Sequence, residues 1–265
     1  LCESVEVDPI EPCCELPTPP EQANACDGSE SLVNPSSCEG GGAALTYLLT
    51  QFEALGDCNV GYDLDACFGR SCIPGSLAPP EGQDGVDNGL AGLGAILDGV
   101  GSNLVRANQW FADALCGKTD DLGDGCETEV LKIELRLAVT ANAEEGCANL
   151  TVFSGTNEIG TAAMNLSDDG CLSGVLPSIP LAFQGWLVRL SNVTLRATTS
   201  DRGLSNGVMG ATGDEAFVGA VAEVLSTGAG LLSGIRDIND DLSGDPERVC
   251  NAMSATFEIG GVVER

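Results

Sequence analysis

The chain has 265 residues, 43% of them apolar, enough to bury a core as one large domain or two small ones without metal or crosslink. Eleven Lys and Arg against 40 Asp and Glu give a formal charge of −29, which excludes the basic patch that nucleic acid or an anionic membrane surface requires. Thirteen cysteines and no histidine exclude Ser-His-Asp and Cys-His catalysis, His-containing zinc sites and c-type haem attachment.

Residues 1–42 are rich in Pro, Glu, Ser and Cys, show no helical or strand period, and end in Gly40-Gly41-Gly42. They read as an extended arm held by disulfides, with the adjacent Cys13 and Cys14 bonded to separate partners. Residues 43–265 read as a single α+β domain, helical over about 43–118 and sheet-rich over about 127–265. Leu45, Leu48, Leu49, Phe52 and Leu55 fall at helical spacing and predict an amphipathic helix. A cysteine-bearing loop follows over 56–85. Leu90, Leu93, Leu97, Val100 and Leu104 then form a glycine-interrupted helical stripe, extended by Trp110, Phe111 and Leu115, which predicts a buried or broken helix.

Past Asp120 the period changes to two. Leu131, Ile133, Leu135, Leu137 and Val139 alternate with Lys132, Glu134 and Arg136, the pattern of a half-buried strand. Further strands are predicted over 149–154, 182–190, 192–198 and 206–211, with turn residues at 167–170 and 205–207. Thr212 and Glu215 read as a capping box for a helix carrying Phe217, Val221, Val224 and Leu225. A last strand turns Met253, Ala255, Phe257 and Ile259 inward and Ser254, Thr256 and Glu258 outward. The predicted fold class is α+β: an antiparallel sheet or sandwich packed with several helices, behind a Cys- and Pro-rich extended N-terminal arm.

No C-x₂-C pair is present, so Cys2, Cys13, Cys14, Cys26, Cys38, Cys58, Cys67, Cys72, Cys116, Cys126, Cys147, Cys171 and Cys250 read as disulfide partners in an oxidising compartment. Their odd number implies one that is free or bonded to another molecule. No transmembrane run or leader is visible; the expectation is that an export signal is already removed, and Leu1 ahead of Cys2 argues against a lipoprotein anchor. The expected location is extracellular or at the outer cell surface.

Three Asp-rich stretches suit the hard, many-oxygen coordination of Ca²⁺. The first is Asp84-Gly85-Val86-Asp87-Asn88, with Asp63 and Asp65 upstream; its competing reading is a helix cap at Asp87 or Asn88. The second runs from Asp237 through Asn239 and Asp241 to Asp245, and echoes an EF-hand loop. It departs from that pattern where Leu242 replaces the Gly and Arg248 the bidentate Glu, which leaves a looser Asp-rich loop or a solvated acidic turn. The third, 120–127, is less ordered. Asn149, Asn165 and Asn192 each begin a glycosylation triplet. P-loop and Rossmann fingerprints are absent, and a pair of carboxylates is the catalytic route left open.

Taken together, Asp84-Gly85-Val86-Asp87-Asn88, Arg202-Gly203-Leu204-Ser205-Asn206-Gly207-Val208-Met209-Gly210, Asp237-Ile238-Asn239-Asp240-Asp241 and Cys250-Asn251-Ala252-Met253-Ser254 form an ordered series of phrases. The series resembles uncharacterised exported proteins and lipoproteins of myxobacteria and related deltaproteobacteria, over about residues 60–260. The resemblance implies an envelope location and calcium-type loops, and no activity.

The expected function is therefore a non-enzymatic structural or interaction protein of the cell exterior, a subunit that assembles into a filament or surface layer. Its arm would lie on a neighbouring copy by strand addition, locked by an intermolecular disulfide; the competing reading folds the arm on its own domain. The alternatives are a calcium-dependent binding module for carbohydrate or matrix, and a carboxylate-dependent hydrolase. Expected partners are further copies of the chain, a glycan or a basic molecule, not nucleic acid.

Overall fold

The computed structural model describes residues 14–39, 41–56, 60–62, 64, 88–90, 101–119, 128–129, 132–183, 186–224 and 252–264. In chain order the elements are β1 (Leu45–Ala54), helix α1 (Gly101–Cys116), a short ribbon of β2 (Lys118–Thr119) and β3 (Thr128–Glu129), then β4 (Leu135–Asn142), β5 (Cys147–Ser154), β6 (Asn157–Leu166), β7 (Cys171–Phe183), β8 (Trp186–Thr199), β9 (Gly203–Gly213), helix α2 (Glu215–Val224) and β10 (Met253–Val263). Eight strands close into one barrel in the order β1-β10-β9-β8-β7-β6-β5-β4, with β4 paired back to β1. Every pairing is antiparallel. Apart from the β2–β3 ribbon, each strand lies beside its neighbour in sequence, and closure gives every barrel strand a partner on both sides. This corrects the expected fold: a closed, mostly-β barrel with two helices among the described residues stands where an α+β sheet or sandwich with several helices was predicted.

Strand alternation sorts the side chains. Leu135, Leu137 and Val139 of β4, Leu150 and Val152 of β5, Met164 of β6, Leu172 and Leu176 of β7, and Leu195 of β8 are buried within the barrel. Arg136, Asn149, Thr151, Asn165, Ser173, Arg196 and Thr198 occupy the intervening, outward positions. Apolar inside and polar outside is the reverse of a barrel that crosses a bilayer. Among the described residues no helix is long and apolar enough to cross one.

The predicted helix at 45–55 is strand β1, and its bulge explains the difference. The β1–β10 register shifts between Leu49 and Gln51, so the buried core residues are Tyr47, Leu49, Phe52 and Ala54. A spacing of two, three and two imitates a helical stripe. The same device interrupts β8 and β9. In β8 the register shifts between Ser191 and Thr194 around Asn192, at φ 51°, and the strand runs on through it. The strand predicted at 182–190 is thereby corrected: Ala182 and Phe183 end β7, the hairpin turn follows, and the remainder from Trp186 is continuous with the strand predicted at 192–198. In β9 the left-handed residue is Asn206, at φ 50°.

Two long excursions, between β1 and β4 and between β9 and β10, bring both helices to one end of the barrel. There Phe111 of α1 meets the interior rings of Phe52 and Phe257 at centroid distances of 5.3 and 5.7 Å. The helix α2 starts on Asp214, whose Oδ1 accepts the Phe217 N–H at 3.0 Å. Thr212, the predicted cap, is instead a residue of β9.

Candidate functional site

The arm is a girdle around its own barrel. Cys14 is bonded to Cys116 at the end of α1. Pro19 and Pro20 then lie against Gly260 of β10 and Gly203 of β9, where a side chain on either glycine would overlap the proline ring. Gln22 donates through Nε2 to Ser205 Oγ of β9 at 3.0 Å, and the Ala25 N–H donates to Thr198 Oγ1 of β8 at 3.0 Å. Cys26 is bonded to Cys171 of β7. Asn165 of β6 donates to the carbonyls of Ser31 and Val33 at 2.9 and 3.0 Å. Cys38 is bonded to Cys147 of β5, and Asn149 donates to the Cys38 carbonyl at 2.8 Å. The Gly42 N–H donates to Ala141 O of β4 at 3.1 Å, and the chain then enters the wall as β1, between β4 and β10. The arm therefore crosses the outer faces of seven strands in spatial order before it becomes the eighth.

One arm residue completes the wall itself. The paired positions of β6 and β7 are Asn165 with Ser173 and Leu166 with Leu172. Beyond Gly174, Pro177 and Pro180 of β7 lack the N–H groups a continuous ladder needs. At that point Asn34 acts as a substitute strand: its Nδ2 donates to Val175 O at 2.6 Å and its Oδ1 accepts the Val175 N–H at 2.7 Å.

A second clasp joins the arm to Tyr62 and Leu64 over the outer wall. The Arg196 Nε of β8 donates to the Tyr62 hydroxyl at 3.3 Å, and the guanidinium lies 4.9 Å from the Tyr62 ring centre and 3.6 Å from Glu30 of the arm. Tyr62 in turn donates to Val208 O at 2.7 Å, and burial pushes its phenol up to about 12. Tyr62, Leu64 and Ala252 form a small apolar cluster there, with Leu32 of the arm packed on it.

No family model, curated protein or solved structure matches the chain. The predicted calcium ligands Asp63, Asp65, Asp84, Asp87, Asp237, Asn239, Asp241 and Asp245, and the whole stretch 120–127, lie outside the described residues. Asn88 is described and 7% exposed. Its Nδ2 donates to Leu55 O at 3.1 Å and its Oδ1 accepts the Thr256 N–H at 3.2 Å, so it splices the end of β1 to β10. Among the cysteines, Cys2, Cys13, Cys58, Cys67, Cys72, Cys126 and Cys250 lie outside the described residues, and the other six form the three disulfides of the girdle. Two groups bring a carboxylate beside a cysteine pair, Glu30 with Cys26 and Cys171, and Glu145 with Cys38 and Cys147. With both sulfurs of each group joined to one another, each leaves a single carboxylate, too few ligands for a metal.

Of the glycosylation triplets, Asn149 and Asn165 use their side-chain amides to hold the arm, and Asn192 forms the β8 bulge. One pair of acids faces across a strand junction: Glu53 of β1 opposite Glu258 of β10 on the outer wall. Burial, and then the facing Glu258 charge, raises the Glu53 carboxyl above its ordinary range. Asn34, Tyr62 and Arg196 had no signal in the sequence, because a lone Asn in a Pro- and Ser-rich arm reads like any other linker residue.

Proposed function

We propose that this protein is a non-enzymatic structural or interaction protein of the cell exterior, working through its outer wall and assembling with further copies of itself. The observation that supports it is the filled barrel. Tyr47, Leu150, Leu172, Leu181, Leu190, Leu195 and Phe257 from around the wall are each at most 2% exposed and meet in one core, as a small barrel does when side chains and not a ligand occupy it. A wall filled from within and bolted by disulfides from without favours a rigid building unit over a carrier. Residues 14–39 already lie on their own barrel, so the contacts between copies belong to the wall and not to an exchange of that segment.

Native mass spectrometry of the exported protein under non-reducing conditions reads both halves of the proposal. Masses that are multiples of the chain, with no small apolar molecule retained, are expected. A stoichiometric lipophilic ligand would overturn the rigid-unit reading, and monomer alone at every concentration would overturn assembly.

A further inference from the structure

On the outer wall near the helical end, β7, β8, β9 and the residue before α2 border a hollow of about 320 Å³, within the range of small-molecule sites. Two kinds of surface line it. Pro180 and Leu187 form an apolar shelf, and Leu187 is 73% exposed. Arg189, Ser191, Thr212 and Asp214 supply polar groups from neighbouring strands, brought together by the pairing of Pro180 with Arg189 and of Ser191 with Thr212.

Two of these groups lack partners. Thr212 is 1% exposed and its hydroxyl has no hydrogen-bond partner among the described residues, a condition that buried polar groups rarely tolerate. Arg189 is exposed and forms no ion pair among the described residues, in a chain where acids outnumber cations 40 to 11. Asp214 gives one oxygen to the Phe217 N–H at 3.0 Å, and its other oxygen has no partner among the described residues.

We propose that this hollow binds a neutral saccharide unit. A pyranose has an apolar C–H face, which suits the Pro180–Leu187 shelf, and a rim of hydroxyls. A guanidinium and a carboxylate each engage two neighbouring hydroxyls, one as donor and the other as acceptor. The Ser191 hydroxyl serves either way. The charge argues for a neutral ligand: Arg189 and Asp214 cancel, and a surface of −29 repels an acidic sugar. This site does not depend on assembly, since it lies within one copy of the chain.

The test is a titration of the full chain with glucose, galactose, mannose, N-acetylglucosamine and cellobiose, with glucuronate as the charged control, followed by amide shifts in ¹H–¹⁵N spectra. Saturable shifts at Ser191, Thr212 and Asp214 are expected with at least one neutral sugar. Arg189→Ala should weaken that binding about tenfold or more with an unchanged melting temperature. The proposal is overturned by no saturable shift from any neutral sugar, by tighter binding of glucuronate, or by binding that survives Arg189→Ala. Light scattering of the same samples reads assembly separately, so failure of either reading leaves the other standing.

Discussion

Removing the Cys26–Cys171 bond tests the girdle most directly. The bond joins positions 145 residues apart, but the chain it closes is much shorter while Cys38–Cys147 remains. The route from Cys26 to Cys38, across that bond and on from Cys147 to Cys171 covers about 36 residues, for which loop-closure entropy gives about 4 kcal/mol, against about 5 kcal/mol for the unabridged loop. For a chain of this size 4 kcal/mol corresponds to a fall in melting temperature of roughly 10 °C. The variant is Cys26→Ala/Cys171→Ala, both side chains being small and buried, and the assay is a thermal melt by circular dichroism without reductant. Removing Cys38–Cys147 in addition should cost about 4 kcal/mol more, because among the disulfides of the described residues the next route runs through Cys14–Cys116. A Cys26→Ala/Cys171→Ala protein melting within about 2 °C of the parent would refute the premise that this bond closes a long loop of the unfolded chain.

Other perturbations follow from single contacts. Asn34→Ala removes both partners of the Val175 backbone and should cost about 2 kcal/mol, with faster hydrogen exchange at Val175 than elsewhere in β7. Gly210→Ala places a Cβ 2.6 Å from the Tyr62 ring, so it should lower stability by about 1–3 kcal/mol and expose Tyr62 to solvent, as read by ultraviolet difference spectra. The raised Glu53 carboxyl means that the fold disfavours its charged form. Its contribution is complete below the unfolded value and lost as pH rises through the folded one, so Glu53→Gln should raise the melting temperature near pH 7 and leave it unchanged near pH 4. Added salt should raise the melting temperature of the parent at low ionic strength, because it screens repulsion within a chain of charge −29.

Where alternation is intact, strands were legible from the residues. Leu135, Leu137 and Val139 mark β4, and Met253 to Ile259 mark β10. Three bulges broke the signal elsewhere, turning β1 into an apparent helix and β8 into two strands. The strand β6 escaped because Gly160, Ala162 and Ala163 carry too little side chain for any period to show. Barrel closure itself is not written locally: it depends on β1 meeting both β4 and β10, pairings from Leu45 to Val139 and from Ala54 to Phe257. The disulfides of the arm were legible from its cysteines, but its course was not, since Gln22, Asn34 and Cys38 gain meaning from residues more than 100 positions away.

The girdle also fixes an order of events. The arm leads the chain, yet the residues that receive it, from Cys147 to Ser205, emerge more than 100 positions later. Contacts of such separation form slowly, and eight cysteines crowd the first 72 residues in the meantime. Early pairing among them would strand Cys26 and Cys38 on the wrong partners before the wall exists to receive them. Correct maturation thus requires that those thiols stay reduced, or be reshuffled, until β5 and β7 have formed. The last step of folding would then be the fastening of residues 14–39, and an oxidant supplied too early would trap the chain ungirdled.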